Sequence, residues 1–177
     1  LFEYTVSIAP AVETTLWKGS RLTLQPVFPV ATNVWHEKAD AYIRVGVAAL
    51  QQELRFTELL RTVLSGGIFV GNVAGLDANL SYRLSKSLTL GMQAALLGDA
   101  YASGSGYHCD KLGEVTFLGK ASYYHSPTRI EAGLTGGRFI YGDYGARLDL
   151  TRHFGEYAIG VFGILTGGEH NAGFHFA

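Results

Sequence analysis

Four stretches of this 177-residue chain place reactive or ligating side chains close together. His108-Cys109-Asp110 offers imidazole, thiol and carboxylate in a row. Adjacent residues seldom converge on one ion, and metal sites draw on spaced ligand pairs, so the triplet reads as a solvated loop and no metal is expected. His170 with His175, and His36 with Asp40, read the same way. The segment Gly137-Arg138 to Gly142-Asp143-Tyr144-Gly145 differs in kind. Arg138 and Asp143 offer hydrogen bonds, and Tyr141 and Tyr144 offer ring faces, which together would equip a loop to contact sugar. The competing reading is a tight loop whose glycines take positive φ, with the aromatics at an interface. Ser, His and Asp occur without a strand–turn–helix nucleophile motif, and the carboxylates Glu131 and Asp149 have charged neighbours that favour structural pairing. No catalytic residue and no cofactor is expected.

The elements that position these residues are written in an alternating pattern. In AGLDANLSYRLSKSLTLGMQAALLGD, from Ala74 to Asp99, Leu76, Leu80, Tyr82 and Leu84 share one parity, opposite Asp77, Asn79, Ser81 and Arg83. After Ser85-Lys86-Ser87 the pattern resumes with Leu88, Leu90, Met92 and Leu96. A period of two is the strand signal. It recurs from Phe2 to Leu16, from Leu22 to Val30, from Ile43 to Ala49, from Val115 to Tyr123, from Ile130 to Leu134, from Ala146 to Leu150, and in the two last pieces, Glu156–Leu165 and Asn171–Phe176. Pro10, Pro26 and Pro29 each lack a ladder donor and should lie at strand ends, bulges or an edge. Gln51–Leu64 fits a helical stripe as well as a strand pattern; a turn around Arg55–Glu58 and a strand from about Leu59 to Val70 keep the hairpin rhythm. About eleven strands result.

An apolar strand face meets either another protein layer or lipid. Ala74–Leu84 matches the roughly 9–11 tilted residues that cross a bilayer. The polar parity is rich in Gly, Ser and Thr, and Trp17, Tyr82, Tyr123 and Phe154 stand beside turns, as girdle aromatics do. Connections also alternate in length. WKGS, the Arg55 segment, LSKS, HSPT and RHFGE are short, while ATNVWHEKAD, GDAYASGSGYHCDKLG, FIYGDYG and TGGEH are longer or richer in Gly and aromatics; Gly71-Asn72 is a short exception. The expectation is an all-β, antiparallel, up-and-down transmembrane β-barrel in a bacterial outer membrane, a single domain over 1–177. Lipid would cover Leu76 and its partners. Asp77, Arg83, Lys120, Glu131, Arg147 and Asp149 would share a wet lumen as an ion-pair network.

Composition bounds the partners. Of the chain, 47% is hydrophobic and 16% charged, with 23 glycines; the formal charge is −1 and the 14 Lys and Arg are scattered, so nucleic acid is not an expected partner. Cys109 is alone, which excludes an internal disulfide. The uncharged run Tyr157–Gly168 is shorter than the ~20 residues of a spanning helix.

The C-terminal half, GEVTFLGKASYY followed by SPTRIEAGLTGGRFIYGDYGARLDLTRHFGEYAIGVFGILT, resembles the YjbH and GfcD family of Gram-negative outer-membrane proteins associated with exopolysaccharide or capsule loci. The most specific pieces are Gly137-Arg138-Phe139, Gly142-Asp143-Tyr144-Gly145 and Thr151-Arg152-His153-Phe154; GNVAGLDANLSYRLSKSLTLGMQAAL and LQPVFPVATN resemble an earlier hairpin and an earlier strand and loop. The resemblance implies an outer-membrane β-barrel that assists polysaccharide production or export, and supplies no catalytic residues. Two other readings compete: a structural or partner β-barrel subunit of an envelope complex, and a soluble sugar-binding β-protein. If short turns are periplasmic, Phe2–Leu16 descends from outside, so at least one ascending strand should precede Leu1. The chain would then be a fragment of a barrel of about twelve strands or more, with at most a narrow pore.

Overall fold

The computed structural model describes residues 5–32, 43–70, 72–103 and 106–177. His36 and Asp40 lie outside the described residues, as does most of the ATNVWHEKAD connection. The strands are β1 (Thr5–Ile8), β2 (Val12–Thr14), β3 (Ser20–Thr32), β4 (Arg44–Arg55), β5 (Leu60–Phe69), β6 (Val73–Arg83), β7 (Leu88–Ser103), β8 (Gly106–Cys109), β9 (Glu114–His125), β10 (Ile130–Arg138), β11 (Tyr144–His153), β12 (Ala158–Thr166) and β13 (Glu169–Phe176). A 3-10 turn at Ile140–Gly142 separates β10 from β11. The thirteen strands form one antiparallel sheet whose path, β1-β3-β4-β5-β6-β7-β9-β10-β11-β12-β13, contains eleven; β2 pairs with β3 and β8 with β7. Among the described residues no pairing joins β13 to β1, so the strands form an open antiparallel sheet and not a closed barrel.

Two compact units make up the chain. The first comprises Leu1–Glu53, Val63–Asp77 and Leu96–Gly113; the second comprises Leu54–Thr62, Ala78–Ala95 and Glu114–Ala177.

In the first unit the prolines lie where their missing N–H is tolerated. Pro10 falls in the break between β1 and β2, the β3–β4 register shifts between Gln25 and Pro26, and Pro29 pairs with Ser7 beside a shift in the β1–β3 ladder. The WKGS turn is built by Ser20, whose hydroxyl accepts from the amides of Leu16 and Trp17 and donates to the Trp17 carbonyl, with Gly19 at φ 81°. The expected loop after Gly98 is instead largely strand: β7 continues to Ser103 and pairs with β8 from Ala100↔Cys109 to Ser103↔Gly106. Its Gly and Ser content reads as loop in sequence, whereas Leu97 and Ala100 are buried and hold the extension in place.

The ambiguous Gln51–Leu64 stretch resolves as two strands, whose connecting turn lies in the second unit. β4 ends at Arg55 and β5 begins at Leu60; the turn between them is closed by the Phe56 amide donating to the Leu60 carbonyl and by Thr57 Oγ1 accepting from the amides of Leu59 and Leu60. Ser85 does the same between β6 and β7, accepting from the amides of Ser87 and Leu88. Each hydroxyl satisfies backbone donors that a tight turn would leave open. TGGEH, expected among the longer connections, is a tight hairpin turn with Gly167 and Gly168 at φ 55° and 88°, two successive positive values that few residues other than glycine adopt.

Burial follows parity, and in the sense opposite to a water-soluble sheet. Along β11, Ala146, Leu148 and Leu150 are exposed while Arg147, Asp149, Thr151 and His153 are partly covered. Leu148 is 49% exposed, Leu134 54% and Val161 54%. Among the described residues no large side chain is fully buried, and the hydrophobic core is confined to Val27, Ala49, Val73, Ala95, Leu97 and Ala100.

Candidate functional site

The ladders β9–β13 of the second unit set polar side chains in rows on the covered face. Register places Tyr124, Glu131, Thr151, Gly160 and His175 in one row; Ser122, Gly133, Asp149, Phe162 and Gly173 in the next; and Lys120, Thr135, Arg147, Ile164 and Asn171 in a third. Side chains alternate faces along a strand, so row neighbours meet.

Arg147 and Asp149, i and i+2 on β11, form a forked ion pair: Nε lies 2.8 Å from Oδ2 and Nη2 2.7 Å from Oδ1. The guanidinium carbon stands 4.5 Å above the Phe162 ring, which adds a cation–π contact. Glu131 accepts from the Ser122 hydroxyl at 2.7 Å, and its other oxygen is 3.2 Å from His153 Nε2. The Tyr124 ring meets the His153 ring edge-to-face at 5.9 Å. Thr151 Oγ1 and His175 Nε2 share a hydrogen bond at 3.2 Å. Glycines make room for these contacts: a Cβ on Gly160 would stand 2.3 Å from the His175 ring, and one on Gly173 2.8 Å from Phe162.

Of the six charged residues expected together, Arg147, Asp149, Glu131 and Lys120 share this face across β9–β11. Lys120 packs against Gly91, and Arg83 belongs to a different cluster, described next. Asp77 falls in the first unit. His175, expected in a solvated loop, lies instead in β13 bonded to Thr151, and His153 joins the row although its sequence position marks it for no site. Both stand on the polar parity beside partners already identified, and that parity was the available signal.

A second cluster lies at the turn end of β4–β7, in a cavity of about 610 Å³ lined by Arg55, Thr57, Glu58, Leu59, Arg61, Ser81, Arg83 and Thr89. The β4–β5 turn bond between Phe56 and Leu60 sets Arg55 opposite Arg61, and Ser81 Oγ donates to the Arg61 carbonyl at 3.3 Å. The Arg83 amide donates to the Leu59 carbonyl at 2.9 Å, and the adjoining β6–β7 turn brings Thr89 alongside Arg83.

The residues of the expected sugar-contacting loop are distributed around the β10–β11 connection. Arg138 pairs with Tyr144 in register, both on the parity of Phe117, and the Arg138 guanidinium lies over Gly142. Tyr144 is 75% exposed. The Asp143 carboxylate instead packs beside Gly167, at the β12–β13 turn. Tyr141 lies in the 3-10 turn, with its side chain outside the described residues. His108, in β8, stacks on Tyr101 with ring centroids 5.5 Å apart, and Cys109 is exposed.

No family model matches this chain, and neither a curated protein nor a solved structure resembles it at a significant level.

Proposed function

We propose that this chain is a transmembrane β-barrel of a bacterial outer membrane, without catalytic activity, that assists the production or export of an exopolysaccharide or capsule. The observation that carries the membrane reading is the inverted burial: Leu134, Leu148, Val161 and Phe174 face outward, while Arg147, Asp149, Glu131 and His153 face the covered side. Covering a Leu or Val side chain is worth about 1.5–3 kcal/mol, so a sheet holding so many of them in water would forgo most of its driving force. Lipid restores it, with strands of 9 to 12 residues through β9–β12 long enough to cross. The polysaccharide role rests on the resemblance of 113–166 and the preceding hairpin to the YjbH and GfcD family.

The test is detergent dependence. Urea-unfolded protein should fold only when micelles or vesicles are added, giving β-type circular dichroism and a folded band that shifts on heating in gels. A monodisperse monomer purified from aqueous buffer without detergent would overturn the membrane reading and favour the soluble sugar-binding alternative. The open sheet supports a second reading, a barrel subunit completed by strands of an envelope partner, for which co-purification from solubilised membranes is the discriminating measurement.

A further inference from the structure

We infer that Arg129 and Arg152, at the turn end of β9–β11 in the second unit, bind the headgroup of an anionic phospholipid. Cross-strand register lines up His125, Ile130, Arg152, Ile159 and Phe176 as the last row of the exposed parity before the turns. The row inside it, Tyr123, Ala132, Leu150, Val161 and Phe174, carries no charge. Arg152 thus stands between Ile130 and Ile159, two residues beyond Leu150, on the side that the membrane reading gives to lipid; the inference rests on that reading. A guanidinium there is stable at headgroup depth, where its stem covers apolar surface and its charge reaches phosphate. The Arg152 guanidinium lies 5.0 Å from the centre of the Phe154 ring, which stacks on Tyr157 at 5.1 Å, a ring platform of the kind that suits a membrane–water interface. The Arg129 carbonyl accepts from the His153 amide at 2.9 Å, so Arg129 sits beside the same end of β11. Among the described residues neither arginine is ion-paired, and the two turns at 126–129 and 154–157 hold one carboxylate, Glu156. The Tyr124 amide donates to the Ser87 carbonyl at 2.8 Å, which carries exposed Lys86 to this end as well. At the other end of these strands Glu114, Asp143 and Glu169 are exposed, with Arg138 as the one basic side chain there among the described residues of the unit. The two ends differ in sign, and charge complementarity directs the turn end to an anionic leaflet.

The experiment is native mass spectrometry of the protein folded in uncharged-detergent micelles, titrated separately with phosphatidylglycerol and with phosphatidylcholine of the same acyl chains. Phosphatidylglycerol adducts should appear at the lower lipid concentration, and raising the ammonium acetate concentration should narrow the difference. Arg129→Gln and Arg152→Gln should each weaken phosphatidylglycerol binding about fivefold, the loss of one cation at a lipid surface. Arg152→Lys should keep most of the binding, because a point charge at headgroup depth suffices, and Lys111→Gln, outside the second unit, should leave it unchanged. Circular dichroism on each variant confirms that it folds. Soluble glycerol 1-phosphate should not displace the lipid; displacement would mark a free-phosphate site and overturn the assignment. Equal uptake of the two lipids by folded protein, or wild-type phosphatidylglycerol binding in folded Arg129→Gln and Arg152→Gln, would overturn it and leave the membrane reading standing. A protein that is monodisperse in aqueous buffer and takes up neither lipid would overturn both.

Discussion

At the level of single residues, the polar face of β9–β13 depends as much on what is missing as on what is present. Gly160 is the clearest case, because a Cβ there would meet the His175 ring at 2.3 Å and Thr151 Oγ1 at 2.7 Å. Gly→Ala in a compatible strand gains about 0.4–1 kcal/mol through the unfolded chain, whereas overpacking costs about 1–3 kcal/mol. Overpacking should win, so Gly160→Ala is expected to destabilise by about 1–2 kcal/mol in a reversible urea titration in micelles. His175→Ala alone should cost no more than about 1 kcal/mol, the worth of its bond to Thr151. Combined, the two substitutions should cost less than their sum, because the ring that Gly160 accommodates is gone. Strict additivity would show that Gly160 does not make room for His175.

Between strands, glycine acts on the backbone itself. Gly137 in β10 has φ 145°, and a Cβ on it would stand 2.1 Å from the Phe117 carbonyl oxygen of β9. Gly67 and Gly75, in β5 and β6, repeat this geometry within the first unit, against the carbonyls of Ala48 and Leu96. Glycine kinks of this sort bend strands so that a sheet can curl. Gly137→Ala should therefore cost about 1–3 kcal/mol, whereas Gly163→Ala in β12, whose Cβ would meet nothing within 4 Å, should be close to neutral. Equal midpoints for the two variants would remove the kink from the account. These kinks were not legible in the sequence, where Gly137 and Gly163 look alike inside alternating runs. Strand periodicity was legible, because parity survives whichever medium covers the face, and so were the turns at Ser20, Thr57 and Ser85, whose hydroxyls close them locally. The β7–β8 extension was hidden by its Gly and Ser content. The arginine cavity was hidden too, because its members come from separate elements that only cross-strand register brings together; Arg83 alone had been singled out.

For the molecule as a whole, the decisive question is which medium covers the apolar parity, and one substitution series answers it. Leu80 on β6 and Leu148 on β11 belong to the exposed apolar parity, and Asn79 is the sequence neighbour of Leu80 on the opposite, partly covered side. In water, placing Arg at an already exposed Leu position should cost little, since surface substitutions stay within about 0.5 kcal/mol, and Asn79→Arg, which crowds a covered face, should be the worse change. In a bilayer the order reverses. A guanidinium on the lipid side near the midplane costs about 2–4 kcal/mol, while one facing a hydrated interior costs much less. Folding titrations into phosphatidylcholine vesicles should thus find Leu80→Arg and Leu148→Arg destabilised by about 2–4 kcal/mol and Asn79→Arg by under about 1 kcal/mol. The sign of the difference carries the result, so it survives any common offset from the vesicles used. Asn79→Arg emerging as the most damaging of the three would mean that water, not lipid, covers Leu80 and Leu148.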